Sequence, residues 1–213
     1  MPVVLLASAS ARRRAWLSER LKGMDTALEV TSLLAPEPPP ASGLEVRAQV
    51  EQSCLSKARA AVMELTVRGS HELPDFTLVA DTLVEDPDDP LVPLGKPQNK
   101  ASATAMLLRL SGRRHRVWSS TAILHPPGET RGTKALHGGW TADVWTETSI
   151  VEFDELDDER VLGLIESESW MGKAGGYDLA GEARLNLRLV EGDEVTVLGF
   201  APNAIESLTG MIS

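Results

Sequence analysis

The residues of this sequence that could do chemistry are cations and carboxylates that fall near predicted loop corners. Cationic side chains bind polyphosphates, whereas carboxylates hold divalent cations and orient water. These residue types together indicate a nucleotide-phosphate site with the parts of metal-assisted phosphoryl chemistry. The cations are Arg12, Arg13, Lys57, Lys96 and Lys173, and the carboxylates are Glu37 and Asp81.

The corner at residues 8–14 carries the clearest signal. Ser10 follows an apolar run and precedes an amphipathic segment, which predicts a helix that Ser10 caps. Arginines then occupy the first turn, where the helix dipole disfavours cations. Arg13 shares a stripe with Leu17 and Leu21, so we expect it to point inward. With the Ser8 hydroxyl and the N–H groups of this corner, the arginines favour a phosphate. The alternative is a plain cap with a solvated arginine face.

Lys57 lies on a predicted helix over residues 44–65, on the stripe of Val50, Cys54 and Ala61. An ammonium group on or beside a buried face needs a counter-charge. Alternatively, the Lys57 side chain extends along the helix and reaches solvent at its edge.

Asp81 follows the apolar run of residues 76–80, which predicts a buried strand that Asp81 closes. Ligands of open α/β sheets gather at the carboxyl ends of strands, so Asp81 and Ser8 are expected to meet. A turn-forming role for Asp81 stays open. Glu37 lies in a stiff proline-rich loop and could be ordinary surface. Lys96 stands on the restricted backbone of Gly95-Lys96-Pro97, which is not a P-loop.

Composition excludes several classes of protein. The 213-residue chain has a net charge of -10, so nucleic acid polymers are not expected as partners. The single cysteine, Cys54, excludes an internal disulfide and fits a reducing compartment. We expect no secretion signal, because the apolar run at the N-terminus is short and arginines follow it, and no apolar run approaches the roughly 20 residues of a membrane span. We therefore expect a cytoplasmic protein. The histidine spacing fits no zinc site, and no G-x-S-x-G motif activates a serine.

The elements that would position these groups alternate between strands and helices, with no internal repeat and no separable linker. We predict one α/β domain over residues 1–213. The acidic turn at 85–90 is expected to be solvated, and Tyr177 either stacks on a base or belongs to a turn. Strands are predicted at 2–7, 28–31, 76–80, 117–124, 141–153 and 195–198, helices at 10–22, 44–65, 99–111, 156–165 and from 203, and a loop at 126–140.

Five ordered blocks over about residues 3–200 resemble the Maf family of nucleoside triphosphate pyrophosphatases. The blocks are Ser8-Ala-Ser-Ala-Arg-Arg, Ala80-Asp-Thr-Leu-Val, Leu94-Gly-Lys-Pro, Leu110-Ser-Gly-Arg-Arg-His and Lys173-Ala-Gly-Gly-Tyr. The resemblance implies a Maf/ITPase-like fold, in which a twisted mixed sheet flanked by helices forms two lobes around a central cleft. It also implies hydrolysis of a nucleoside triphosphate to the monophosphate and pyrophosphate with Mg²⁺ or Mn²⁺, and suggests a homodimer.

The resemblance also implies roles for the candidate residues. Asp81 would activate water or hold the metal, and Glu37 would help to hold the metal. Arg13, Lys57 and Lys96 would neutralise the triphosphate, which the hydroxyls of Ser8 and Ser10 would position. The substrate-binding set also includes Arg12, Thr82, Lys173 and Ala180.

Substrate choice is suggested by a few positions. Arg12 and Thr82 resemble the branch acting on thymidine and uridine triphosphates, because the branch acting on 7-methyl-GTP tends to carry Trp and Gln there. The last block reads Asp178-Leu-Ala-Gly instead of the usual Gly-Ile-Gln-Gly, so Ala180 replaces a glutamine implicated in substrate choice. Alternatives are a 7-methyl-GTP pyrophosphatase, a nucleotide-binding regulator of cell division with little turnover, and a sugar-phosphate or nucleotide-sugar enzyme.

Overall fold

A mixed β-sheet with helices on both faces forms the scaffold. The computed structural model describes residues 1–36, 39, 41–68, 73–128, 131–179 and 181–212. The strands in these ranges are β1 (Val3–Ala7), β2 (Ala27–Thr31), β3 (Phe76–Glu85), β4 (Pro93–Leu94), β5 (Arg114–His125), β6 (Lys134–Ala135), β7 (Thr141–Phe153) and β8 (Leu187–Glu191). The helices are α1 (Ala11–Arg20), α2 (Val46–Arg68), α3 (Lys100–Leu110), α4 (Asp158–Glu166), α5 (Glu194–Leu198) and α6 (Pro202–Ile212).

The described strands form one eight-stranded sheet with the order β2-β1-β3-β5-β7-β6, while β4 pairs with β3 and β8 with β7. Strand β1 is parallel to both β2 and β3, whereas β5 is antiparallel to its two neighbours, β3 and β7. The predicted α/β class, with a mixed sheet flanked by helices, is confirmed.

The two faces of β1 show how the helices are held. Successive strand residues point to opposite faces. Leu5 packs in a cluster with Cys54 and Ala58 of α2, whereas Leu6 packs with Leu17 of α1 and Leu208 of α6. Helix α2 therefore covers one face of the sheet, and α1 and α6 cover the other. Within the described ranges, no helix combines the length and apolar character that crossing a membrane requires.

Two strand predictions are wrong in ways that matter for the site. Strand β3 continues through Asp81 to Glu85, so Asp81 lies inside the strand and does not close it. Residues 195–198 belong to the helix α5, although their β-branched side chains favour a strand. The Asp193 side chain accepts a hydrogen bond from the Val195 N–H and caps this helix, while Thr196 and Val197 are buried. Local capping and burial thus outweigh strand propensity.

The acidic turn at 85–90 and the segment after β5 also differ from expectation. Glu85 and Asp86 in the acidic turn are buried rather than solvated. Glu85 accepts a 2.7 Å hydrogen bond from the Trp118 ring nitrogen, and both Asp86 oxygens accept 2.8 Å bonds from Arg109. Those arginine hydrogen bonds lower the pKa of Asp86. The predicted loop over 126–140 contains the short strand β6, and β8 was not predicted.

Candidate functional site

One cavity of about 420 Å³ brings together the site residues predicted from sequence that the structure describes. Glu37 and Ala180 lie outside the described residues. Apolar side chains, including Leu33 and Met171, complete the wall. The candidate residues that line the cavity are Ser8, Ser10, Arg12, Arg13, Lys57, Asp81, Thr82, Lys96 and Lys173.

The difference in length between β1 and β3 creates this cavity. Strand β1 ends at Ala7 and pairs with β3 only through residues 76–78 of that strand. Strand β3 then continues beside β5, where Asp81 is opposite Ser120. Asp81 consequently lies just beyond the end of β1, and the chain that leaves β1 supplies Ser8 and Ser10. The Ser10 side chain accepts a hydrogen bond from the Arg13 N–H and caps α1, as predicted.

Lys57 and Asp81 form an ion pair at the cavity wall. The Lys57 Nζ lies 2.7 Å from the Asp81 Oδ1, and the two side chains are 11% and 14% exposed. Helix α2 therefore directs its ammonium toward the middle of β3, rather than along the helix to solvent. An anionic and a cationic group stand side by side where a ligand in the cavity would meet both.

Cys54, one turn before Lys57 on α2, is a buried thiol behind this pair. Its Sγ lies 3.7 Å from the Val79 carbonyl oxygen. Burial raises the pKa of Cys54 to about 12, and the nearby Asp81 charge acts in the same direction. A thiol in this state is a packing group and not a nucleophile.

Arg13 points inward, as the helical spacing predicts, and protein acceptors hold its guanidinium group. It donates hydrogen bonds of 2.9 Å to the Gly199 carbonyl, the Ala80 carbonyl and the Thr82 hydroxyl. A bound phosphate is therefore not needed to explain why Arg13 points inward. The carbonyl oxygens and the hydroxyl already compensate this cation, which links α1 to β3 and to the turn after α5.

A chain of hydroxyl groups extends from Arg13 through the sheet. Thr82 and Ser119 hydroxyl oxygens lie 2.9 Å apart, and Ser119 donates a 2.6 Å bond to the Thr196 carbonyl. Because Ser119 uses its hydrogen on Thr196, Thr82 must donate to Ser119. The Thr82 hydroxyl thus accepts from Arg13 and donates to Ser119. Sequence reasoning missed Ser119, Thr196 and Gly199, since no local pattern signals that they lie behind the cavity.

Arg12 and Lys173 share the carboxylate of Asp178, another residue to which we assigned no role from sequence. The Arg12 Nη1 lies 3.0 Å from Oδ1, and the Lys173 Nζ lies 3.3 Å from Oδ2. The Arg12 Nε is buried and has no hydrogen-bond partner. The signal available in the sequence was the acidic residue directly after the Gly-Gly-Tyr block.

The glycine segment, residues 173–176, carries Lys173 and is hydrogen-bonded to the loop that carries Lys96. The Gly175 N–H donates a 3.1 Å hydrogen bond to the Gly95 carbonyl oxygen. Gly175 has a φ of +72°, and a Cβ there would lie 2.9 Å from a Val84 methyl group. Only glycine fits both the conformation and the space. The two lysines therefore line the same cavity, although they are far apart in sequence.

Tyr177 packs in the core and is not a base-stacking residue. Its side chain is almost fully buried, and the rings of Phe153 and His115 contact it edge-on. The Tyr177 hydroxyl lies 2.7 Å from the His115 Nε2. Burial raises the pKa of Tyr177 and lowers that of His115 to about 4. Both groups are therefore neutral near pH 7. Their contact holds Tyr177, the residue after the glycine segment, against β5.

Residues 3–210 of this chain match the model of a protein family described as "Maf-like protein". This chain belongs to that family. A protein named "dTTP/UTP pyrophosphatase" from Alkaliphilus oremlandii is 33% identical over 201 residues, which cover 93% of this chain and 90% of the relative. One of the same name from Thermococcus gammatolerans is 34% identical over 210 residues, covering 97% of this chain and 95% of the relative.

The fold of this Maf-like chain is also similar to that of a solved structure. A HAM1 protein from Coxiella burnetii superposes with a TM-score of 0.50 at 11% identity, covering 100% of this chain and 98% of that one. The family resemblance that the sequence blocks indicated is confirmed, as is the Maf/ITPase-like fold.

The donor set of the Maf-like cavity bears on metal binding. No group of three or more histidine, cysteine, aspartate and glutamate side chains that could hold a metal ion occurs within the part of the chain that the structure describes. Asp81 offers a carboxylate in the cavity, beside cations suited to phosphates. Mg²⁺ is commonly bound through one or two carboxylates together with substrate phosphates. The residues present fit a cation that arrives with a polyphosphate.

Proposed function

We propose that this protein hydrolyses nucleoside triphosphates to the monophosphate and pyrophosphate. The observation that carries the proposal is the ion pair of Lys57 and Asp81 in a cavity also lined by Arg12, Lys96 and Lys173. The names of the relatives support the same reaction and point to dTTP and UTP as substrates. The chemistry needs a proton acceptor beside several cations, and this cavity provides both.

In the proposed reaction, water attacks the α-phosphorus of the substrate. Asp81 accepts a proton from that water as its oxygen bonds to phosphorus. The bond between the α-phosphorus and the oxygen that bridges to the β-phosphate breaks, and its electron pair leaves with pyrophosphate. Lys57, 2.7 Å from the carboxylate, keeps Asp81 oriented and offers a positive charge to the phosphoryl oxygens.

The remaining cations bind the polyphosphate. Lys96 and Lys173 approach the cavity from two loops joined by the hydrogen bond between Gly175 and Gly95. Arg12 lines the cavity, and its guanidinium group carries more N–H donors than its bond to Asp178 uses, so it can also donate to a phosphate oxygen. Arg13 uses its guanidinium mainly to fix α1 against β3, so we assign it a positioning role beside Ser8 and Ser10.

A divalent cation fits this chemistry. Asp81 and the substrate phosphates would hold it together, and Glu37 is a second proposed ligand. Bound there, Mg²⁺ or Mn²⁺ would neutralise phosphate charge and polarise the phosphoryl group. The protein groups orient the nucleotide and accept the proton from water.

A panel of triphosphates tests the proposal. Pyrophosphate and monophosphate would be quantified from dTTP, UTP, 7-methyl-GTP and the common purine nucleotides, with and without Mg²⁺ or Mn²⁺. We expect metal-dependent release of pyrophosphate with a preference for dTTP and UTP. Tight binding of triphosphates with no monophosphate after hours would contradict hydrolysis and favour a regulator. Preference for 7-methyl-GTP would contradict the substrate assignment alone.

A further inference from the structure

Asp178 lies between two cations of the proposed phosphate site. Its two carboxylate oxygens bind different partners, Arg12 at 3.0 Å and Lys173 at 3.3 Å. The three side chains are only 15% to 25% exposed. Both cations line the cavity, whereas Asp178 is not among its lining residues. The protein thus holds a negative charge of its own against the groups that would bind phosphate.

The arrangement leaves the cations able to bind a second anion. Arg12 lines the cavity and donates to Asp178 through Nη1, so the other N–H donors of its guanidinium group remain for a ligand. The Lys173 ammonium carries three donors and can bind more than one acceptor. An anion that enters the cavity therefore meets cations whose charge a carboxylate has already partly compensated.

We propose that Asp178 is a resident counter-ion that weakens the hold of this cavity on pyrophosphate and similar phosphate anions. The inference rests on the proposed function, because pyrophosphate is the product that must leave. Each phosphate group bound by Arg12 and Lys173 lies near a like charge that the chain supplies, and the repulsion is substantial in a partly buried setting. Asp178 thereby favours product release.

The counter-ion also keeps the substrate-free site intact. Without Asp178, two partly buried cations would repel each other with no anion between them. A phosphate ligand would then relieve that repulsion as it binds, and linkage makes its affinity higher. The charge of Asp178, rather than its shape, is therefore the property that sets anion affinity.

The test is a calorimetric titration with inorganic pyrophosphate of the wild-type protein and of Asp178→Asn, which keeps the size of the side chain but removes its charge. We expect Asp178→Asn to lower the Kd for pyrophosphate by about tenfold, with a steeper loss of affinity as salt is raised. The matched control is Glu166→Gln, which makes the same charge change at an exposed position on α4 outside the cavity. It should leave the Kd unchanged.

Two more variants separate charge from shape. Asp178→Glu retains the charge and should bind pyrophosphate as the wild type does, and Asp178→Ser is the neutral replacement if the asparagine variant fails to fold. An unchanged or higher Kd in the neutral variants would overturn the inference. So would a glutamate variant that behaves like the asparagine one. The titration measures binding without turnover. Failure of the triphosphate panel would therefore reject the proposed function, while the titration would still show whether Asp178 weakens pyrophosphate binding.

Discussion

Asp81 owes its proposed role to its neighbours. The Lys57 ammonium lies at 2.7 Å, the Ser8 and Ser10 corner forms an adjoining part of the wall, and Lys96 lies on the same cavity. A carboxylate in this setting can accept a proton from water while cations compensate the charge of the phosphates. The buried thiol of Cys54 takes no part, because its raised pKa keeps it protonated.

Removing the charge of Asp81 tests its role as proton acceptor. Asp81→Asn should lower kcat for pyrophosphate release from dTTP by a factor on the order of 10² to 10⁴, because the amide cannot accept the proton. Binding of dTTP, measured by calorimetry, should persist, since the cationic groups remain. Turnover at the wild-type rate would remove Asp81 from the mechanism. Glu166→Gln, which makes the same change in net charge outside the cavity, is the control and should keep the wild-type rate.

Among the secondary-structure elements, α5 and the turn after it hold side chains of the cavity wall in place. Gly199 ends α5, accepts the hydrogen bond from the Arg13 Nε and has a φ of +120°. The carbonyl of Thr196, also on α5, ends the hydroxyl chain that starts at Thr82. This five-residue helix therefore orients groups on α1 and β3, although none of its own residues lines the cavity.

The substitution Gly199→Ala should disturb Arg13. A Cβ at this position would lie 2.7 Å from the Arg13 Nε, on a backbone conformation that L-residues rarely adopt. We expect a loss of stability of about 1–3 kcal/mol from this strain and a rise in KM for the triphosphate. Thermal unfolding and steady-state kinetics measure the two effects. Gly210→Ala on α6, with nothing within 4 Å of the added carbon, is the control: it should leave KM unchanged and slightly raise stability, because alanine favours a helix more than glycine does. Unaltered kinetics in Gly199→Ala would contradict the positioning role of this turn.

The contact between β5 and the glycine segment makes stability depend on pH. Burial holds the pKa of His115 at about 4, below its ordinary value of 6.5. The unfolded chain therefore takes up a proton near pH 6.5 that the folded chain refuses until about pH 4, and stability falls as the pH drops through this window. Between pH 6.5 and 5 the loss should be about 1.5 kcal/mol.

Urea unfolding at several pH values measures this loss. His115→Gln removes the titrating group, so its stability should vary less over the same window even if it is lower throughout. An equally steep decline in the variant would show that another group causes the pH dependence.

Prediction from sequence succeeded where a local pattern carries the information. The cap at Ser10 follows from a serine directly before an amphipathic segment, the inward direction of Arg13 follows from helix periodicity, and β7 spans its predicted residues. It failed where distant contacts decide. Tyr177 packs against His115 and Phe153, and Asp178 binds Arg12 across 166 positions of the chain. The roles assigned to the cavity residues stay predictions.

At the scale of the whole molecule, a chain of net charge -10 places several cations around one cavity. Where β3 continues past the end of β1, six separate segments of the described chain contribute residues to the cavity wall. The overall negative charge disfavours nucleic acid polymers, while the local cations favour a small polyphosphate. We infer that the fold serves to bring water, a carboxylate and a triphosphate together.

The position of water attack is the most direct test of this proposal. Turnover of dTTP in water labelled with heavy oxygen, followed by mass spectrometry of both products, identifies the phosphorus atom that water attacks. We expect the label in the monophosphate, with unlabelled pyrophosphate, and much slower formation of both products by Asp81→Asn. Label in the pyrophosphate, or release of orthophosphate, would contradict attack at the α-phosphorus and with it the proposed reaction.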